Sequence, residues 1–133
     1  METLEKIYQH YSKRNIISTD SRKIDKDCVF VALRGERFDG NDFAYQVATE
    51  GVASCVIADR KDLPTHERLF IVDDSLTTLQ QLAKLHRERC NIPIIGITGT
   101  NGKTTTKELV ATVLSKKYDI IYTQGNFNNH LGL

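Results

Sequence analysis

The sequence carries almost no excess of charge of either sign, because 18 lysines and arginines nearly balance 17 aspartates and glutamates. A formal net charge of +1 supplies no general attraction to nucleic acid or to anionic membranes, so a bound anion requires a local site. The chain also lacks an apolar run long enough for a signal peptide or a membrane span. We therefore predict a cytoplasmic protein with no nucleic-acid partner and no membrane partner.

Residue pairs with the spacing of metal ligands are absent as well. Cys28, Cys55 and Cys90 stand far apart without a C-x-x-C motif, and the four histidines form no pair with ligand spacing. We interpret the cysteines as reduced structural thiols. A composition with 40% hydrophobic and 26% charged residues is that of an ordinary globular domain and gives no indication of disorder.

What the sequence does contain is an unusual glycine- and threonine-rich segment, GITGTNGKTTTKE, at 96–108. It follows the apolar run IPII and precedes a stretch in which Leu109, Val110, Val113 and Leu114 recur at helical spacing. This order predicts a buried strand at 93–98, a loop, and a helix at 103–116. A glycine-rich loop lets successive backbone N–H groups face an anion at a helix N-terminus, so we predict a phosphate site.

Two side chains of this loop suit a nucleotide triphosphate. Lys103 would reach the β- and γ-phosphates, and the hydroxyl of Thr104 is the type of ligand that Mg²⁺ prefers. The segment departs from the pattern G-x-x-x-x-G-K-[ST], because Ile97 occupies the position of the first glycine. A glycine turn with a solvent-exposed lysine is the alternative interpretation of the same residues.

The rest of the chain alternates between helical and strand patterns. We predict helices at 2–13, 41–50 and 75–90, and strands at 15–19, 28–33, 53–58, 69–73 and 119–123. This alternation predicts an α/β fold, with a small N-terminal α/β domain followed by the first part of a P-loop parallel-sheet ATP-binding domain. Asp74 or Ser75 can cap the third helix, which suggests domains at 1–74 and 75–133. A parallel nucleotide-binding sheet normally has about five strands, so we expect the second domain to be incomplete and the chain to be a fragment.

Three segments together resemble the Mur ligase family. They are STDSRKIDKDCVFVALRGERFDGNDFA at 18–44, GTNGKTTTKE at 99–108 and TQGNFNNHLGL at 123–133, in the family's order and with roughly its spacing. Within the family, they are most similar to members that add D-alanyl-D-alanine to UDP-N-acetylmuramoyl-tripeptide. The resemblance implies a cytoplasmic ligase of peptidoglycan precursor synthesis, monomeric at full length, which uses ATP and Mg²⁺ and forms an amide through an acyl-phosphate.

The resemblance also implies roles for individual residues. The residues implied to bind ATP are Gly99, Thr100, Asn101, Gly102, Lys103, Thr104 and Thr105, with Lys103 and Thr104 catalytic and Thr104 the Mg²⁺ ligand. Those implied to bind the substrate are Ser21, Arg22, Gly35, Arg37, Phe38, Asp39, Gly40, Asn41, Phe43, Asn128 and Asn129. Arg22 or Arg37 suits a diphosphate, Ser21 and Asn41 suit a uracil edge, and Phe38 could flank a ring. Many family members have histidine where this chain has Asn41.

Each assignment has an alternative. Arg22 could pair with a surface carboxylate, and Asp39-Gly40 could form only a turn before a helix. For the whole protein, the alternatives are the related Mur ligase that adds the third amino acid and a nucleotide-binding module without catalytic activity. The chain by itself is predicted to have no turnover.

Overall fold

The computed structural model describes residues 2–36 and 38–123, and the chain divides into two compact units, Met1–Asn91 and Ile92–Leu133. The helices of the first unit are α1 (Glu2–Tyr11), α2 (Asn41–Glu50) and α3 (Ser75–Arg89). Its strands are β1 (Ile17–Ser18), β2 (Val29–Val31), β3 (Cys55–Ala58) and β4 (Leu69–Ile71). The second unit contains α4 (Lys103–Leu114).

The sheet of the first unit is parallel throughout, with the strand order β1-β2-β3-β4. Successive side chains alternate between its faces: Phe30 and Val56 pack in the cluster that includes α2, whereas Val29, Val31 and Ile57 pack with α1 and α3. Because helices cover both faces, the strands can be apolar at every position, and β2 and β3 are completely buried. The predicted α/β class is confirmed.

The ends of two helices follow from their local sequence. Asp74 caps α3, since its side chain accepts a hydrogen bond from the Thr77 N–H at 2.6 Å. Gly51 ends α2 with a φ of 72°, in the left-handed region that glycine adopts without steric cost. The predicted helix at 41–50 therefore has the bounds that the structure gives it.

The first compact unit extends to Asn91, beyond the predicted division at 74/75. The physical reason is that α3 packs on α1 and on the sheet. Leu82 is 1% exposed and belongs to the apolar cluster that contains Ile7, and Tyr8 Oη lies 3.2 Å from His86 Nδ1. Separating α3 from the strands before it would expose this cluster, so α3 belongs to the first unit.

The second unit differs from the prediction in its strands. The helix α4 is confirmed, but no residue at 92–123, all of which the structure describes, pairs in a sheet, so the strands predicted at 93–98 and 119–123 are wrong. Ile94 and Ile95 are each 62% exposed. A strand needs a neighbour for its backbone hydrogen bonds, and the described residues of this unit supply none.

Candidate functional site

In the first unit, the predicted substrate residues lie after the carboxyl ends of parallel strands. Ser21 and Arg22 follow β1, and the segment with Gly35, Phe38 and Asp39 follows β2. Adjacent parallel strands bring these segments to one edge of the sheet, which is the edge where open α/β sheets bind ligands. The sequence therefore directs its polar segments to the expected edge.

A tight hairpin follows β2. The Gly35 N–H donates to Phe38 O at 2.7 Å, and the Gly40 N–H donates to Leu33 O at 2.9 Å. A Cβ atom on Gly40 would lie 2.9 Å from Ala32 Cα, closer than real Cβ atoms approach backbone, so only glycine fits here. The hairpin is thereby held against the end of β2.

Two aromatic side chains stand together at this hairpin. The rings of Phe38 and Phe43 are stacked, with centroids 5.5 Å apart and an interplanar angle of 12°. They remain 45% and 37% exposed, although apolar rings of this size are usually covered. An exposed, parallel pair of rings offers a flat apolar surface to a planar ligand.

Asn41 is completely buried beneath the hairpin and makes four side-chain hydrogen bonds. Its Nδ2 donates to Asp39 Oδ1 at 2.8 Å and to Asp59 Oδ1 at 3.0 Å, while its Oδ1 accepts from the N–H groups of Asp59 and Arg60 at 3.0 and 3.2 Å. These bonds use both donors and both lone pairs of the amide. Asn41 thus has no remaining position for a uracil edge in this structure, and its side chain instead holds three segments together.

Charged side chains surround Asn41. Arg60 Nη2 donates to Asp39 Oδ2 at 2.9 Å and to Asp42 Oδ1 at 2.7 Å, and Arg34 Nη2 donates to Asp59 Oδ1 at 2.8 Å. Burial acts to raise the pKa of Asp39, but hydrogen bonds from Asn41 and Arg60 outweigh it, so its pKa lies below the ordinary value. The carboxylates are therefore held ionised between the arginines.

Sequence reasoning missed Arg34, Asp59 and Arg60 as members of this site. A signal was present, because Asp59 and Arg60 directly follow the buried strand β3 and so lie at its carboxyl end. Asp59 also accepts a hydrogen bond at its Oδ2 from the Ser75 N–H, at 3.2 Å. The Ser75 hydroxyl is buried and has no hydrogen-bond partner among the described residues.

The predicted diphosphate ligand Arg22 pairs within its own turn. Its Nε and Nη2 donate to the two carboxylate oxygens of Asp20 at 2.9 and 2.8 Å, and these bonds, with that of its backbone N–H, lower the pKa of Asp20 to about 2. The Arg22 side chain is nevertheless 85% exposed. Ser21 lies beside it in the same turn, and the remaining predicted substrate residues Arg37, Asn128 and Asn129 lie outside the described residues.

In the second unit, the predicted phosphate loop leads directly into α4. Gly102 precedes the helix with a φ of 73°, and the first backbone bond of the turn runs from the Thr106 N–H to Gly102 O at 2.9 Å. Within the described part of the chain, the N–H groups of Thr100, Asn101, Gly102 and Lys103 donate no hydrogen bond. A row of unsatisfied amides at a helix N-terminus suits an anion.

Lys103 closes this loop on itself, because its Nζ donates to the carbonyl oxygen of Gly99. Thr104 and Thr105 occupy the first turn of α4, beside Lys103. The ammonium group therefore sits at the same loop as the unpaired amides, and a phosphate would compete for it with a single neutral carbonyl. The residues present fit the terminal phosphates of a nucleotide.

No helix among the described residues combines the length and the apolar character needed to cross a bilayer. Those residues also contain no group of three or more histidine, cysteine, aspartate and glutamate side chains arranged to hold a metal ion. An ion at the phosphate loop would accordingly depend on hydroxyl and phosphate oxygens.

Comparison with known proteins identifies two family regions in the chain. Residues 13–87, more than half of the chain, match the Mur ligase family, catalytic domain, and residues 97–133 match the Mur ligase middle domain. The UDP-N-acetylmuramoyl-tripeptide–D-alanyl-D-alanine ligase of Bacillus subtilis is 46% identical over 119 residues, covering 88% of this chain and 26% of the relative. The enzyme of that name from Escherichia coli is 37% identical over 117 residues, covering 88% of this chain and 25% of the relative.

Solved structures give the same relationship. The crystal structure of MurF ligase from Thermotoga maritima in complex with ADP superposes with a TM-score of 0.77 at 37% identity, covering 88% of this chain and 27% of that one. A MurF structure from Acinetobacter baumannii gives a TM-score of 0.74 at 36% identity, covering 98% of this chain and 30% of that one. The chain spans about a quarter of the length of the curated relatives described above, which it covers to 26% and 25%. With a family match over more than half of its residues, the chain belongs to the Mur ligase family.

Proposed function

We propose that this chain supplies the sugar-nucleotide site and the ATP phosphate loop of a longer ligase. That enzyme would use ATP and Mg²⁺ to join D-alanyl-D-alanine to UDP-N-acetylmuramoyl-tripeptide through an acyl-phosphate. The observation that carries the proposal is the loop before α4, where unpaired backbone amides and Lys103 meet in a chain of this family. The names of the relatives in Bacillus subtilis and Escherichia coli support this reaction over addition of the third amino acid.

The first unit binds the uridine nucleotide at the carboxyl edge of its sheet. The stacked rings of Phe38 and Phe43 receive the uracil ring, and Arg22 exchanges Asp20 for the diphosphate. Stacking on an aromatic surface is available to a planar base without a hydrogen-bond code. Asn41 contributes indirectly, by fixing the hairpin that presents Phe38.

The second unit binds the terminal phosphates of ATP. Lys103 releases the Gly99 carbonyl and pairs with the transferred phosphate, while the loop amides share its developing charge. The hydroxyl of Thr104 would hold Mg²⁺, which would supply further neutralisation of the phosphate oxygens. The proposal includes a cytoplasmic, monomeric enzyme without nucleic-acid or membrane partners, in keeping with the balanced charge of the sequence.

Titration calorimetry with UDP tests the assignment of the first unit. The chain should bind UDP, and Phe38→Ala should weaken binding by about tenfold, the order expected for one stacked base. Tyr118→Ala is the matched control, since it removes another exposed aromatic ring in the second unit and should leave the affinity unchanged. No binding of UDP by the parent chain, or equal affinities for the parent and Phe38→Ala, would contradict this assignment.

Lys103→Ala separates the two sites within one experiment. In the full-length enzyme it should reduce turnover by about 10²-fold or more, because it removes a charge aimed at the transferred phosphate. Its affinity for UDP should equal that of the parent. Turnover within about threefold of the parent would remove Lys103 from the proposed role.

A further inference from the structure

A nucleophile, a base and an orienting hydroxyl meet where α3 ends, away from the candidate site. Cys90 directly follows α3, and its Sγ lies 3.5 Å from Nε2 of His86 in the last helical turn. The other ring nitrogen of His86, Nδ1, lies 3.2 Å from the hydroxyl of Tyr8 on α1. A nucleophile next to a base that a third group orients is the arrangement by which proteins activate thiols.

The imidazole of His86 is held on a second side by Tyr11. The two rings meet edge to face, with centroids 5.1 Å apart and an interplanar angle of 81°. With the proton on Nδ1 donated to Tyr8 Oη, Nε2 presents its lone pair to the sulfur. The ring is therefore fixed in an orientation from which it can accept the thiol proton.

The other two cysteines of the chain provide an internal contrast. Cys28 and Cys55 are completely buried in the two apolar clusters, and burial raises the pKa of the Cys55 thiol to about 12. Cys90 is only half-buried and lies outside both clusters. Access and a neighbouring base thus distinguish Cys90 from the cysteines that serve packing.

Positive charge near Cys90 favours an anionic sulfur. Arg87 Nη1 donates to the carbonyl oxygen of Cys90 at 3.1 Å, and the guanidinium of Arg89 lies 4.3 Å from the centre of the Tyr8 ring. The C-terminus of α3 acts in the opposite direction, because its partial charge is negative. The two arginines and a protonated His86 offset that contribution.

We propose that Cys90 is a thiol modification site that reacts with small disulfides, with His86 as its base and Tyr8 as the residue that positions the base. The Cys90 proton moves to His86 Nε2, and the sulfur attacks one sulfur of the disulfide. A new S–S bond forms to Cys90 as the original S–S bond breaks, and the departing thiolate takes the proton from His86. The products are a mixed disulfide on Cys90 and one small thiol, without any further oxidant.

The test uses the folded chain and 5,5′-dithiobis(2-nitrobenzoic acid), whose released thiolate is followed by absorbance. One equivalent should react rapidly, and peptide mass spectrometry should locate it at Cys90, with Cys28 and Cys55 unmodified until urea is added. His86→Gln should slow this reaction about tenfold, and Tyr8→Phe should slow it about threefold. His66→Gln is the matched control, since it removes an imidazole elsewhere in the first unit and should leave the rate unchanged.

Circular dichroism of each variant establishes that the fold is retained, so that a slow rate is not the result of unfolding. A peptide with the sequence of 84–95 gives the rate of the same thiol without the Tyr8 contact. The proposal is overturned if Cys90 in the folded chain reacts no faster than in this peptide. It is equally overturned if His86→Gln reacts at the parent rate, or if Cys28 or Cys55 reacts first.

Discussion

The two units of this chain contain similar apolar segments that reach different structures. In the first unit, CVIA forms β3, is completely buried, and has a paired strand on either side. In the second unit, IPII forms no strand, and Ile94 and Ile95 are each 62% exposed. The local patterns are comparable, so the difference lies in the neighbours. A parallel strand is specified by what pairs with it, and its own sequence supplies only compatibility.

The same contrast extends to the helices. Helix α3 buries Leu82 against α1 and the sheet, whereas Leu109 and Val113 of α4 are 63% and 69% exposed. Both helices have capped beginnings and apolar residues at helical spacing. Burial of the apolar face, which provides most of the stability of a protein helix, is therefore concentrated in the first unit.

Truncating matched leucines should give the largest difference between the units. Leu82→Ala removes a side chain that is 1% exposed and should destabilise the first unit by about 3 kcal/mol, the order found for buried leucines. Leu109→Ala, at a side chain that is 63% exposed, should change stability by less than about 0.5 kcal/mol. Urea unfolding followed by far-UV circular dichroism measures both. Equal costs for the two variants would abolish the distinction between a packed and an unpacked helix.

A smaller effect should follow from the polar network beneath the hairpin. Asn41→Ala removes four buried hydrogen bonds and leaves the N–H groups of Asp59 and Arg60 without their acceptor, at a cost of about 2–3 kcal/mol. Asn91→Ala, at an exposed asparagine that ends the first unit, should cost less than about 0.5 kcal/mol. The same urea titration compares them, and a neutral Asn41→Ala would mean that the network adds no net stability.

The smallest effect concerns acid. Because the pKa of Asp39 is lower in the folded chain than its ordinary value of 3.8, the folded state binds fewer protons there, and ionised Asp39 stabilises it. This contribution is present above pH 3.8 and is lost as the pH falls through the folded pKa. Asp39→Asn should therefore be less stable than the parent at neutral pH by about 1 kcal/mol or less, with the gap narrowing below pH 3.8.

Unfolding midpoints of the parent and Asp39→Asn across this pH range provide the measurement. Asp62→Asn, at an exposed aspartate, is the control and should differ from the parent by a constant amount. A gap for Asp39→Asn that widens in acid would reverse the assigned sign.

Much of the first unit could be predicted from local signals. Asp74 marks the beginning of α3, Gly51 marks the end of α2, and short apolar runs mark β2 and β3. The phosphate loop was also recognisable, because its glycines, its lysine and the helix that follows are adjacent in sequence. These features succeed because the residues that cause them are neighbours along the chain.

What could not be predicted depends on residues that are distant in sequence. The partners of Asn41 come from two segments, and the Asn41 amide contacts Asp59 across 18 positions. A single asparagine before a helix is equally consistent with a cap or a ligand contact, so its burial could not be inferred. The strand predicted at 93–98 fails for the related reason that strand pairing is not a local property.

The parallel sheet of the first unit has one further consequence, for behaviour at high concentration. Its edges are β1, with 2 residues, and β4, with 3 residues, while the longest strand, β3, lies inside. An exposed edge is a template on which another chain can add a strand, and short edges offer few backbone groups for this purpose. The first unit is thereby protected from edge-to-edge aggregation by the order in which its strands are arranged.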